Sequence, residues 1–143
     1  MDQISVAQEG GLLKLHGTLF GKPLDFVVDS GAALEGVLAA SVVPPDVPID
    51  KTAARLLRVG DGRTCWTAGQ VVATVEFSGL KLEVTFAVMD TTSFKALLGL
   101  QFLRKKEVSK MSFNPPTLSL QGVELTLNLL EETEKTLNCF AEP

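Results

Sequence analysis

The chain is poor in the residues that several chemistries require. Its 143 residues include one histidine, His16, and two cysteines, Cys65 and Cys139. Two cysteines so far apart, with no metal-ligand spacing around them, make no disulfide framework; free thiols in a reducing compartment are expected. A thiol nucleophile needs a histidine base, and with His16 as the sole candidate Cys65 is a poor one. No second ligand stands near His16, so an exposed or satisfied histidine is expected there, and no metal. Basic residues are also few: 13 Lys and Arg against 17 Asp and Glu leave a net charge of −4. That balance argues against a nucleic-acid surface. The one basic cluster, Arg104-Lys105-Lys106, reads as charge matched to the dipole at a helix end. No apolar run is long enough to cross a bilayer. Met1-Asp2-Gln3-Ile4 lacks the basic and apolar regions of a signal peptide. A soluble, intracellular, cytoplasmic protein with no membrane partner is the expectation, free or as one piece of a polyprotein. The sequence shows no internal repeat and no low-complexity tract.

What is present reads as one domain over 1–143. The length suffices for one core and is too short for two lobes that each carry half of an active site. The pattern is mainly β. Strands are predicted over Leu12 to Phe20 and Leu24 to Asp29, the second short, apolar and β-branched like a buried strand. Leu34 to Val43 fits a strand or a short helix. Pro44, Pro45 and Pro48 mark a surface loop. Arg55 to Val59 and Thr64 to Val72 flank Gly60-Asp61-Gly62 as a hairpin with a flexible tip. Val71 to Phe77 and Leu80 to Val88 flank Ser78-Gly79 as a tight hairpin. Ser93 to Lys106 is the helix candidate, with Phe94, Leu97, Leu98 and Phe102 at helical spacing and Gly99 weakening it. Met111 to Phe113, Thr117 to Gln121 and Val123 to Leu129 read as closing strands. Glu131 to Phe140 fits a terminal helix or a tail that orders against a partner.

The segment with chemical content is Phe26-Val27-Val28-Asp29-Ser30-Gly31-Ala32. A carboxylate ends an apolar strand and is followed at once by a hydroxyl and a glycine. Apolar surroundings disfavour the charged form and raise the pKa of Asp29. Gly31 lets another backbone come close. One carboxylate cannot act as acid and base together. Two at contact distance can, because they share a proton. No second such triplet exists: Asp61-Gly62 lacks the apolar strand and the hydroxyl, and Asp90-Thr91 is followed by Thr92, not glycine. A homodimer pairing Asp29 with its symmetry mate on the two-fold axis is the economical solution.

With these residues the sequence resembles the retropepsin-like aspartic proteases, above all those of long-terminal-repeat retroelements (retrotransposons) and their domesticated relatives. Asp29-Ser30-Gly31-Ala32 matches the D-[ST]-G-A signature. Ala96-Leu97-Leu98-Gly99-Leu100 matches the second signature, an apolar pair before a glycine, and Leu100 to Arg104 its usual helical continuation. Val59 to Gly62, followed by Gly69-Gln70-Val71, stands where that family has its flap. The likeness covers about 12–121, leaving 122–143 as a C-terminal extension. It implies an all-β, closed or partly open barrel with one short helix near the C-terminal side. It also implies one catalytic Asp29 per subunit, and no metal or organic cofactor. Ser30 would hydrogen-bond across the dimer axis; Gly31 and Ala32 would line the cleft. Gly60, Asp61, Gly62, Arg63 and Thr64 would form the flap over an extended polypeptide substrate. Leu97, Leu98 and Gly99 would form the supporting helix signature. Two positions depart from the pattern. Ala33 stands where many relatives are polar, and Asp61 makes the flap tip acidic.

Blander readings stand beside these. Asp29 could cap a turn. Trp66 could touch substrate or only pack the hairpin. Gly60-Asp61-Gly62 lacks the lysine of an anion-binding loop. The whole domain could keep the shape as a dimerisation or peptide-binding module with weak or no catalysis. The protease domain of a ubiquitin-linked shuttle-type protein carries similar core signatures.

Overall fold

A computed structural model describes residues 12–58, 64–90 and 94–129. Chain order is β1 (Leu13–Leu19), β2 (Lys22–Val28), β3 (Gly36–Ala39), β4 (Leu56–Arg58), β5 (Thr64–Trp66), β6 (Gly69–Phe77) and β7 (Leu80–Met89). Then come β8 (Ala96–Leu98), helix α1 (Leu100–Leu103), β9 (Val108–Phe113), β10 (Pro116–Leu120), β11 (Val123–Thr126) and β12 (Asn128–Leu129).

Local sequence explains the long hairpins. β6 and the first part of β7 alternate buried with more exposed residues, as strands with one wet face do, while Phe86, Ala87, Val88 and Met89 at the end of β7 are all buried. Ser78 and Gly79 join them with both φ angles positive, 50° and 84°. That is the two-residue turn whose twist matches the flanking strands, and Gly79 adopts it without strain. The turns at Phe20-Gly21 and Gln121-Gly122 repeat the geometry.

Six strands close on themselves in the order β1-β2-β8-β3-β7-β6. β6 returns to β1 through Thr18↔Glu76 and Leu19↔Val75. Closure removes the free edges of an open sheet. β12 takes the remaining end of the same β1 edge, through Leu13↔Leu129 and Lys14↔Asn128. β11-β10-β9 form a separate sheet that sends Leu118, Leu120 and Leu125 into the common core. Phe26, Phe77, Phe86 and Phe102 are fully buried at its centre. Phe77 meets Phe26 edge-on at 5.5 Å between ring centroids and Phe102 at 6.2 Å. Phe102 thereby ties α1 to the barrel; burying such a ring contributes roughly 1.5–3 kcal/mol.

The helix expected over Ser93 to Lys106 is corrected. Ala96–Leu98 is a strand, and the helix is one turn, Leu100–Leu103; Ser93 lies outside the described residues. β8 runs between β2 and β3 and is buried on both faces, so it shows no alternation. A short apolar run of that kind fits either period. Leu34 to Val43 resolves into β3 followed by a 3₁₀ turn, Ala40–Val42. The strand expected over Thr64 to Val72 is broken at Thr67 and Ala68. There the backbone turns away to bond Arg55 O at 2.9 Å and Val88 O at 2.7 Å. The Glu131 to Phe140 segment lies outside the described residues. Among the described residues, no helix is long and apolar enough to cross a membrane.

Candidate active site

Asp29 is placed by β2. That strand begins exposed and ends in three buried residues, Phe26, Val27 and Val28. The next side chain, Asp29, is therefore carried to the end of the barrel core and is only 5% exposed. β8 runs parallel to β2, pairing Val27↔Leu97 and Val28↔Leu98. The Asp29 N–H extends that ladder by one bond, to Leu98 O at 2.9 Å.

The chain must next reach β3, which lies on the far side of β8. Residues 29–35 therefore cross over the end of β8. Four backbone bonds pin the crossing. Ala32 N–H donates to Asp29 O (3.1 Å), Leu100 N–H to Ala32 O (2.7 Å), Gln101 N–H to Leu34 O (3.3 Å) and Gly99 N–H to Glu35 O (2.9 Å). The crossing passes so close to Gly99 that a methyl group there would sit 2.7 Å from Ala32 O and closer still to Leu34 O. Leu97 and Leu98 are buried beneath it. The two sequence signatures, around Asp29 and around Gly99, are thus halves of one local structure.

The Asp29 carboxyl is pushed above the ordinary carboxylate range, chiefly because burial penalises its charge. The amides of Gly31 and Ala32 oppose the shift without cancelling it. Gly31 N–H donates to Oδ1 at 2.9 Å. This is also the bond of a turn-capping aspartate. Capping and an acid poised to hold a proton are compatible in this geometry.

The stability consequence has a definite sign. Asp29 keeps its proton to higher pH in the folded chain than in the unfolded one, so its burial carries no ionisation penalty while both states are protonated. Stability is lost as pH rises through the window between the unfolded and folded values. Asp29→Asn keeps the acceptor for Gly31 and removes the charge. At pH 7 the variant is expected to melt above the unmodified chain at equal concentration, with the gap closing toward pH 3. Thermal denaturation across that range checks it; an Asn variant that melts lower at pH 7 would refute the burial argument.

Other expected site residues are only partly in view. Ser30, Gly31 and Ala32 are half-buried and Ala33 is exposed. Gly60, Asp61, Gly62 and Arg63 lie outside the described residues. Thr64 is exposed opposite Arg58 in the β4–β5 hairpin. Leu57 and Cys65 of that hairpin pack against the core, leaving the pair Leu56↔Trp66 on its other face. Trp66 is 66% exposed there. His16 is exposed and bonded through Nδ1 to Asp25 at 2.9 Å, a satisfied surface histidine.

One residue escaped the sequence reading. Glu35 ends the crossing, and its Oε2 accepts from Thr85 N–H at 3.1 Å and lies 3.1 Å from Lys105 Nζ. A charge inside the apolar stretch Ala32 to Val43 was the available signal. Lys105, expected to answer a helix dipole, follows a single helical turn and pairs with Glu35 instead.

No protein-family model matches the sequence, and no curated protein matches it. In structure the chain is similar to the retroviral protease-like domain of Ddi1 from Leishmania major. The TM-score is 0.63 at 15% identity, over 85% of this chain and 93% of that one. A likeness at that identity speaks to fold: a closed six-strand barrel with one short helix, of retropepsin-like architecture.

Proposed function

We propose that the protein is an aspartic endopeptidase that acts as a homodimer, with Asp29 of each subunit forming one catalytic dyad. The observation that carries this reading is the buried carboxyl of Asp29 on a crossing pinned to β8 and Gly99. Such a group is held still and inclined to keep a proton, which a shared dyad requires.

In this reading the ionised Asp29 takes a proton from water as the water oxygen attacks the scissile carbonyl. The protonated Asp29 donates to the carbonyl oxygen, giving a neutral tetrahedral diol. Collapse breaks the C–N bond, delivers a proton to the leaving nitrogen and returns the dyad to one shared proton. Ser30 braces the two crossings over the axis. Gly31 and Ala32 line the cleft, with Leu97, Leu98 and Gly99 as the support below. Gly60 to Thr64 close over an extended peptide bound by strand-like main-chain bonds.

Burial and a like charge both favour retention of one proton, so kcat/KM is expected to peak at acidic pH and fall as that proton is lost. A profile flat to pH 8 would exclude a shared-proton dyad. The direct test is cleavage of a diverse peptide library near pH 5 by the unmodified chain and by Asp29→Asn. Turnover by the first alone supports the proposal. Equal turnover by both removes Asp29 from the chemistry. No turnover by either, from folded dimer, makes the domain a dimerisation or peptide-binding module.

A further inference from the structure

The crossing that carries Asp29 is held to its surroundings mostly by its own backbone. Those bonds all reach one neighbour, the β8–α1 segment from Leu98 to Gln101. The far end of the crossing has a different tie. The parallel ladder between β3 and β7 begins at Gly36↔Phe86. Thr85 is one residue before that register, and its N–H is taken by the Glu35 carboxylate. The same Oε2 meets Lys105, in the segment leaving α1. A single oxygen thus joins the crossing to β7 on one side and to the chain beyond α1 on the other. Both side chains are mostly shielded, at 18% exposure for Glu35 and 27% for Lys105, so solvent weakens the contact less than at an open surface.

We infer that Glu35 is a positioning residue for Asp29: its carboxylate clamps the exit of the crossing between Thr85 N–H and Lys105, and so sets where Asp29 stands. The entrance is fixed by Asp29 N–H on Leu98 O. Without the carboxylate, the crossing would still be bonded through its backbone to the β8–α1 segment, Glu35 O to Gly99 N–H included, but it would lose its side-chain tie to β7. A small displacement there matters, because catalysis by two facing carboxyls depends steeply on their geometry. The catalytic part of this inference rests on the function proposed above; the clamp itself does not.

The experiment therefore has two readouts on the full chain. Hydrogen exchange needs no activity. Glu35→Ala is expected to speed exchange of the Gly31, Ala32 and Leu100 amides about tenfold while the Val27 and Val84 amides, deep in the barrel, stay unchanged. Glu35→Gln keeps an acceptor for Thr85 and is expected to restore most of the protection. Peptide cleavage is the second readout, with kcat of Glu35→Ala down about tenfold and KM held within about threefold. Should Glu35→Ala fail to fold, Lys105→Met takes its place, with an acceleration of about threefold at the same three amides. Uniform acceleration of every amide, or none at Gly31, would overturn the clamp. Accelerated loop amides with unchanged kcat would overturn the positioning role. An unmodified chain that cleaves nothing, yet shows the selective exchange, would sink the proposed protease function and leave the clamp standing.

Discussion

Asp29→Asn is expected to lower turnover about 10⁴-fold, since in the proposed symmetric dimer one substitution would remove both the acid and the base. The asparagine is nearly isosteric and can still accept from Gly31 N–H, now 2.9 Å from Oδ1. The loss should therefore fall on kcat, with folding and dimerisation intact by scattering and circular dichroism. Subunit mixing tests the shared dyad more sharply. A ninefold excess of the variant leaves about one unmodified chain in ten with an unmodified partner under random pairing. Activity per unmodified chain should then fall about tenfold, provided exchange is complete. If one subunit worked alone, that specific activity would not change. The two outcomes separate a catalyst made by two chains from one made by a single chain, which no measurement on the homodimer can do.

Gly99→Ala is expected to destabilise the fold by about 4 kcal/mol or more, the range reserved for backbone clashes and broken buried networks. The added methyl would meet Leu34 O and, at 2.7 Å, Ala32 O. Neither neighbour is the end of a pliable side chain. Both are backbone carbonyls already engaged, by Gln101 N–H and Leu100 N–H. Making room requires lifting the crossing off β8 and losing those bonds together. Urea unfolding gives the measurement. A change below about 1 kcal/mol would mean that the crossing yields freely, contrary to the geometry described. The same lift would move Asp29, so any folded fraction is expected to be catalytically weak.

Much of the barrel was legible because its hairpins carry strong local signals. Ser78-Gly79 sits between two alternating runs, and the observed hairpin spans Gly69–Phe77 and Leu80–Met89. Leu24 to Asp29 read as a buried strand from composition, and β2 ends at Val28 with Asp29 next. β8 was the failure. Ala96-Leu97-Leu98 has no alternation because a parallel neighbour and an antiparallel one cover its edges while the core covers its faces. Helical spacing of Phe94, Leu97, Leu98 and Phe102 was then a coincidence of burial, and no single-segment pattern could have exposed it.

The sequence by itself determined which residues are chemically able: one strand-end carboxyl followed by hydroxyl and glycine, and one apolar pair before a second glycine. It also determined the Ser78-Gly79 turn, because positive φ is a local property of Gly and its neighbour, whereas Phe20 and Gln121, read as strand ends, proved to be the first residues of two further turns of this kind. Only the tertiary structure decided that these two segments, about 70 residues apart by the numbering of Asp29 and Gly99, form one unit. It decided that Gly99 is glycine for lack of space beneath a crossing chain, and that Glu35 closes the crossing on β7 and Lys105. The reason is physical. Turn preference and hydrophobic period act over a few residues, whereas a strand inserted between two others acquires its partners, and its burial, from the far end of the chain.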